Sequence, residues 1–375
     1  MKIAIIGGKL QGTEAVYLAR EAGMESILID RNPQAPAAGI CDRFVCGDVV
    51  AREPQVMAAM KEADLVLPTN ENWQLLQAIR EIGEEEGLTV AFDFNAYAVT
   101  ASKLQSDRLF RHNHIPSPLY YPQGKAPYIA KPSGESGSVG VTFLETDLQV
   151  EDFLANQSDS DQWIVQEYLE GPSYSLEVIG SEQHYRTYTV TQIHMDKVYD
   201  CCKVTAPCPQ LTGEELERFA KIACSLAELI ELRGIMDVEV IHQGGLLKVL
   251  EIDARLPSQT PIAVYHASGV NLLAELADIA LWGRFQRKQE NEGRWCAYEH
   301  YKLEEGRIIQ EGEHMMSQAR PLARSEGLFG SDVALSDYFP GCGEFKGIFV
   351  NWGEDEDGLE QKRQKLKADL KGQLL

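Results

Sequence analysis

The sequence predicts an α/β domain that runs into an α+β region. Three observations carry that expectation. The first hundred residues alternate short apolar runs with segments of helical spacing. From about residue 118 strand-like segments dominate, with one helix among them. The length, 375 residues at 44% hydrophobic and 25% charged, suits a globular chain of two or three subdomains.

In the first hundred residues "KIAIIGG" is a buried-type strand ending in Gly-Gly, and "LQGTEAVYLAREAG" is helical. "SILID" and "RFVCGD" end in Asp30 and Asp48. "EPQVMAAMKEA" is helical and "DLVLPT" strand-like. "NENWQLLQAIREIGEEEG" is a helix closed by Gly87, and "TVAFD" is a strand ending in Asp93. Such alternation means a parallel sheet covered on both faces, with ligands beyond the C-terminal strand ends. Asp30, Asp48, Glu71 and Asp93 fall there. The "GGKLQG" turn (Gly7, Gly8, Gly12) is GGxxxG, not the GxGxxG of a dinucleotide site, although Asp30 lies where a ribose-binding acid would.

"NAYAVTASKLQSDRLFRHNHIP" reads as one helix ended by Asn113 and Pro116. Then come strand-like "YIAKPS", "VTFLE", "WIVQEYLEG", "SYSLEVIG", "HYRTYTVTQIHM" and "KVYDCCKVTAP", with helical "DLQVEDFLANQ" among them. "TGEELERFAKIACSLAELIELRG" is a long amphipathic helix closed by Gly234. "IMDVEVIHQGGLLKVLEIDARL" is a hairpin turning at Gly-Gly. "NLLAELADIALWG" is helical, and the last seventy-odd residues read as less regular, ending in a charged helix.

A net charge of −22 argues against nucleic acid or an anionic membrane as partner, since both need a basic face. Much of the acid lies in solvated runs such as "EEE" at 84–86 and "EDED" at 354–357. No stretch is long and apolar enough to span a membrane, and "MKIAIIGGKLQG" is not a signal peptide. The eight cysteines contain no CxxC pair and read as reduced thiols of a cytoplasmic protein. Cys201, Cys202 and Cys208 near His194 fit no zinc spacing.

Chemistry concentrates in 103–255. Lys131 ends a strand and precedes "PSGESGSVG", a loop rich in free backbone N–H groups and small hydroxyls, as a polyphosphate requires. Lys103 lies upstream, and "VQEYLEG" supplies backbone that can frame an adenine. On the hairpin, Asp237 lies on the first strand, and Glu251 and Asp253 share a face of the second. Three carboxylates around one point make a hard-cation site, and beside phosphates the expected ion is Mg²⁺. Arg255, on the same face, can neutralise a transferring phosphoryl group.

The order Lys103, "IAKPSGESGSVGV", "VQEYLEG", "GIMDVEV", "LEIDAR" resembles the ATP-grasp superfamily of carboxylate–amine ligases, over residues from about 1 to 300. The resemblance implies an ATP-grasp fold preceded by a Rossmann-like pre-ATP-grasp parallel-sheet domain over 1–97. The ATP-grasp domain would span 98–300, with a lid at about 118–180 and a metal and ATP subdomain at about 181–300. A C-terminal region, 301–375, would pack on the core. It implies ATP and Mg²⁺. Lys103, Lys131 and Lys203 would contact phosphates, with Ser136, Gly137 and Ser138 closing over them. Glu167, Tyr168 and Leu169 would frame the adenine. Asp237, Glu251 and Asp253 would hold Mg²⁺, and Arg255 the acyl phosphate. Two positions depart from the pattern: Asp253 stands where many members have Asn, and Ser173 where several place a ribose-binding Glu. Glu170 or Glu177 would then serve the ribose.

"IIGGKLQGTEAVYLAREAGM", "LPTNEN" and "LEIDARLPSQTP" together resemble the pyrrolysine-biosynthesis ligase family, which joins 3-methyl-D-ornithine to the ε-amine of L-lysine. The expected partners are therefore small molecules, L-lysine and 3-methyl-D-ornithine or D-ornithine, with a homodimer left open. Glu71 and the amides of Gln11 and Gly12 would suit the ammonium and carboxylate of lysine. Glu177, Ser258 and Thr260 would suit the other amino acid. A purine-pathway carboxylase or a D-alanine ligase type is the alternative within the superfamily. A nicotinamide-dependent dehydrogenase or nucleotide sensor is the alternative outside it.

Overall fold

The computed structural model describes residues 1–134, 140–159, 162–182, 184–287 and 293–372. The described residues form three sheets. The first is parallel, with β1 (Lys2–Ile6), β2 (Glu25–Asp30), β3 (Arg43–Cys46) and β4 (Leu65–Pro68) in the order β3-β2-β1-β4. Ile3 to Ile6 are all buried, as a strand covered on both faces requires. Helices α1 (Leu10–Glu21), α2 (Pro54–Glu62) and α3 (Trp73–Glu86) alternate with these strands. Asn72 caps α3, and Gly87 ends it in the left-handed conformation. "TVAFD" contributes a single parallel bridge, Val66 to Val90, instead of a strand.

Gly12 lies where α1 crosses the turn after β1, and a Cβ there would collide with the Gly7 carbonyl oxygen. The glycine spacing is thus a packing requirement of this turn. Gly12→Ala should cost about 1–3 kcal/mol by overpacking, read as a lower urea midpoint at unchanged slope.

The single helix expected before Asn113 is two: α4 (Phe94–Thr100) and α5 (Lys103–His112). Asp93 caps the first and the Ser102 hydroxyl caps the second, so the chain breaks between them. The second sheet is small and antiparallel, β5 (Tyr128–Pro132) flanked by β6 (Thr142–Leu144) and β7 (Trp163–Glu167). It packs on α6 (Asp147–Ala155) through Tyr128, Ala130, Leu144, Val150 and Val165.

The third sheet is the largest. It contains β8 (Ser173–Ser181), β9 (His184–Thr187), β10 (Thr191–Met195), β11 (Cys201–Ala206), β12 (Gly234–Gln243) and β13 (Leu246–Asp253). It continues through β14 (Trp295–Glu304), β15 (Arg307–Gln310), β16 (Ala323–Glu326), β17 (Val333–Ser336) and β18 (Phe345–Gly353). The last seventy residues are therefore more regular than their sequence suggests: their strands complete this sheet, and β14 runs through residue 300. The β12–β13 hairpin turns at Gly244 and Gly245, both at positive φ (60° and 79°), as a two-residue turn demands.

Helix α7 (Gly213–Leu229) opens on a Thr212–Glu215 capping box and stops at Ile230, earlier than expected, because Gly234 already begins β12. Helices α8 (Thr260–Ser268) and α9 (Leu272–Trp282) share a core with α1, in which Ala15, Leu18 and Ala19 join Ile262, Ala263, Leu272 and Leu276. Helix α10 (Glu356–Gly372) closes the chain, burying Leu359, Leu366 and Leu370. No helix among the described residues is long and apolar enough to cross a membrane.

Candidate active site

The site lies on one face of β8, β12 and β13. Direct pairing sets Asp237 opposite Asp253 and Glu239 opposite Glu251. On the other side of β12, Glu177 stands opposite Asp237 and Ser175 opposite Glu239. Residues directly opposite in an antiparallel pair share a face, so five carboxylates stand on it. Glu239 was missed in the sequence. Its signal was present: it follows Asp237 by two residues in "DVEV".

The hairpin register shifts after Glu239, leaving Leu250 as an extra residue between Val249 and Glu251. Bulges re-aim backbone groups. Here the Leu250 carbonyl accepts from Lys131 Nζ at 3.2 Å. Lys131 ends β5, and Ser133 beyond it is tied to the start of α5, its carbonyl accepting from Lys103 N–H at 3.1 Å. Lys103 Nζ donates to Glu251 Oε1 at 2.7 Å. Burial pushes the Lys131 ammonium below its ordinary pKa, against the pull of Glu251 and Asp107. Burial also opposes the charge of Lys103, but Glu251 outweighs it and raises that pKa.

Arg255 lies among the remaining acids. Its Nε donates to Glu71 Oε1 at 2.9 Å and Nη2 to Asp253 Oδ2 at 3.0 Å, with Nη1 3.7 Å from Asp237 Oδ1. Gln11 Nε2, on α1, donates to the same Glu71 oxygen at 2.7 Å, so the chain around the first sheet reaches the site through one carboxylate. Burial drives Asp237 and Asp253 well above the usual carboxylate range, with Arg255 pulling them down. Burial and the facing Glu251 raise Glu239 to about 8.

Two adjoining cavities meet here. The larger, about 340 Å³, is lined by Lys103, Lys131, Glu167, Tyr168 and Leu169 among others. The smaller, about 120 Å³, takes Asp237, Asp253, Arg255, Ser258 and Thr260. Met195, Tyr199, Glu239 and Glu251 line both. The smaller cavity also takes Asp200, from the β10–β11 loop, and Glu313, from beyond β15. No pattern in the sequence pointed to either.

Several expected positions fall elsewhere. Lys203 is not at the site. The β10–β11 register shifts between His194 and Met195, so Cys202 is an extra residue and alternation is reset. Val204 and Cys201 line the smaller cavity, while Lys203 lies beside Glu299 and Arg363. Glu170 is exposed and lines neither cavity. Glu167 is engaged through Oε1, which accepts from Lys248 Nζ at 2.6 Å and Leu119 N–H at 3.0 Å. Gly12 is buried in the turn packing described above. Ser136, Gly137 and Ser138 lie outside the described residues. Asp30 serves its own loop, accepting from Gly8 N–H at 2.6 Å and Asn32 N–H at 2.7 Å.

The expected cluster of three carboxylates around one point is not formed. Among the described residues no three His, Cys, Asp or Glu side chains gather as metal ligands. Arg255 lies between Asp237 and Asp253, and Lys103 takes Glu251. The donor set still fits Mg²⁺: all-oxygen ligands, with Asp237 Oδ1 buried and without a hydrogen-bond partner. Mg²⁺ beside a nucleotide needs one or two carboxylates, the phosphates and water supplying the rest.

Glu177 is fully buried, and the hydroxyls of Thr260 and Ser175 face its carboxyl. Burial raises it to about 7, with the Thr260 hydroxyl opposing. A raised carboxyl binds its proton more tightly folded than unfolded. Its contribution is full below the unfolded pKa of about 4.3 and is lost as pH rises towards about 7, at about 1.4 kcal/mol per pH unit. Nucleotide-free Glu177→Gln should therefore lose less stability than wild type between pH 5 and 7. Parallel slopes in urea titrations would show Glu177 to be unperturbed.

A family model described as an ATP-grasp domain matches residues 100–259. The 3-methyl-D-ornithine–L-lysine ligase of Methanosarcina acetivorans is 39% identical over 365 residues, 96% of this chain and 95% of that protein. The protein of the same name from Methanosarcina barkeri is 37% identical over 98% of this chain and 97% of its own. Among solved structures, the biotin carboxylase domain of Hydrogenobacter thermophilus 2-oxoglutarate carboxylase superposes with a TM-score of 0.75 at 14% identity, covering 98% of this chain and 89% of that one. That likeness is one of fold. With such identity over nearly the full length of both chains, the chain belongs to the 3-methyl-D-ornithine–L-lysine ligase family, built around an ATP-grasp domain.

Proposed function

We propose that the chain is an ATP-dependent ligase that joins the carboxylate of 3-methyl-D-ornithine, or D-ornithine, to the ε-amine of L-lysine, with release of ADP and phosphate. One observation carries the reading beyond family membership. The cavity lined by Lys103 and Lys131 opens on a second, lined by six carboxylates and one guanidinium. The first suits polyphosphate, the second cationic amino acids.

Bound MgATP supplies the phosphoryl group that turns a carboxylate into an acyl phosphate, from which an amine displaces phosphate. The chain's own residues position and neutralise. Lys103 and Lys131 bind phosphate oxygens, and Glu167 to Leu169 border the base. One or two of Asp237, Glu251 and Asp253 would supply carboxylate oxygens for Mg²⁺, with phosphates and water as the rest. Arg255, held by Glu71 and Asp253, presents a fixed charge to the transferring group. A lysine ε-ammonium, pKa about 10.4, must lose a proton before it attacks. Glu239, raised to about 8, holds a proton far better than an ordinary carboxylate and lines both cavities. Residues 1–97 bring Gln11 and Glu71 to this work, 98–300 the nucleotide and metal groups, and 301–375 Glu313.

The test is ADP release with MgATP across single amino acids and pairs, with mass spectrometry of products. Release that needs L-lysine with D-ornithine or its 3-methyl form, and an isopeptide product, is expected. Release with bicarbonate or one carboxylate alone would overturn the substrate assignment.

A further inference from the structure

The wall of the smaller cavity away from the shared residues is built from Ser258, Gln259, Thr260 and Glu313, none of which touches the larger cavity. Glu313 opens a short 3-10 segment, Glu313–Gln318. Both of its hydrogen bonds fall on one oxygen: Ser258 Oγ donates at 3.0 Å and Gln259 Nε2 at 2.6 Å, each to Oε2. Gln259 holds φ at 72°, the left-handed region that a residue with a Cβ rarely occupies. Strain of this kind persists where the surroundings impose it, and it gathers at functional sites.

That conformation aims the Gln259 amide at Glu313 and leaves its carbonyl Oε1 buried with no donor. The hydroxyls of Thr260 and Ser175, on the same cavity, are also buried; both face the Glu177 carboxyl as donors, and each keeps lone pairs with which to accept. Gln259, Thr260 and Ser175 are 3%, 5% and 1% exposed. Buried polar groups are nearly always hydrogen-bonded, so the bare Gln259 Oε1 marks a missing partner on this cavity. Gln259 Oε1 can only accept, and a hydroxyl can accept. The surrounding carboxylates favour a positive charge. A primary ammonium, a cation with three donors and no acceptor, meets all these demands.

We propose that Glu313 Oε1, Gln259 Oε1 and Thr260 Oγ1 form the pocket for a primary ammonium of an amino-acid substrate, with Gln259 also positioning Glu313. This rests on the ligase reading and assigns its substrate contact to the C-terminal region. The ammonium can be the α-amine or the side-chain amine of a diamino acid.

The test is calorimetric binding of D-ornithine and of L-lysine to wild-type chain, Glu313→Gln, Glu313→Asp and Thr260→Val, each with MgADP affinity measured alongside. Wild type should bind at least one diamino acid. Glu313→Gln should weaken that binding about 10- to 100-fold, as loss of a charged hydrogen bond does. Glu313→Asp should fall between, Thr260→Val should lose several-fold, and MgADP affinity should stay within twofold. 5-Aminopentanoate and D-norvaline, each lacking one amine of D-ornithine, and 6-aminohexanoate and L-norleucine for lysine, identify the amine: the analogue without it should not distinguish wild type from Glu313→Gln. Unchanged diamino-acid binding in Glu313→Gln would overturn the pocket. So would unchanged binding in Thr260→Val if Glu313→Gln loses MgADP affinity through misfolding. Wild type that binds L-lysine but releases no ADP with any pair would sink the ligase reading and leave the pocket standing.

Discussion

Lys131→Ala should lower kcat/KM for ADP release about a thousandfold while leaving Tm within a few degrees of wild type. The first half follows from where the ammonium lies. Lys131 is 9% exposed, and lysine is rarely so buried unless paired. Its hydrogen bond among the described residues goes to one carbonyl, Leu250 O at 3.2 Å, and Lys131 lines the larger cavity, so an ammonium with three donors has capacity left for a ligand there. Removing one preorganised donor from a site where charge develops typically costs about 10²–10³ in rate, and a full positive charge stands at the upper end. The second half follows from burial. The desolvated ammonium adds little to the stability of the nucleotide-free chain, so its removal should be mild.

A pH profile separates charge from bulk. Because burial lowers the Lys131 pKa, the ammonium is lost at lower pH than that of an ordinary lysine. KM for ATP should therefore rise with pH through that lowered value. Lys131→Arg, whose guanidinium stays charged above pH 12, should lose this alkaline limb even at reduced kcat. Turnover of Lys131→Ala within tenfold of wild type would contradict the phosphate role outright.

The parts of this site legible in sequence are those set by local periodicity. Alternation placed Glu251 and Asp253 on one face of a strand, but a register counted from the Gly244–Gly245 turn would set Asp237 opposite Ile252, and only the Leu250 bulge brings Asp237 opposite Asp253. The same rule would have delivered Glu239. Alternation fails wherever a bulge inserts a residue. One extra residue at Cys202 turned Lys203 to the far face, and nothing in "DCCKVT" announces it. Long-range packing was equally silent. Glu313 meets Ser258 across 55 residues of chain, through a segment whose sequence reads as irregular. Shared-face reasoning also could not say which cation sits among the acids. It suggested three carboxylates around a metal, whereas Arg255 folds back over Asp253 and Lys103 holds Glu251. In the first sheet the continuous apolar strands gave topology class correctly. The helix break before Ser102 was hidden because "TASK" keeps helical composition across a capping serine.

Arg255→Ala should lose both turnover and stability, and the two losses should come apart in a double variant. The guanidinium is the shared partner of Glu71, Asp253 and Asp237, with side-chain exposures of 30%, 15% and 8%. Deleting one partner of a buried ion pair leaves a charge uncompensated, at about 3–5 kcal/mol. Arg255→Lys should repair this only in part, because an ammonium lacks the planar fork that reaches Glu71 through Nε and Asp253 through Nη2. Asp253→Asn alone should keep partial turnover: Arg255 retains Glu71, and an amide oxygen can still serve a cation. Combining Arg255→Ala with Asp253→Asn removes one of the three stranded carboxylates together with its partner, so part of the lost stability should return in urea titrations. Activity should not return, since the positive charge at the transferring group is absent in both variants. If the double variant regained turnover together with stability, Arg255 would be a structural clamp for the carboxylate face, and neutralisation of the phosphoryl group would have to fall to Lys103 and Lys131 alone.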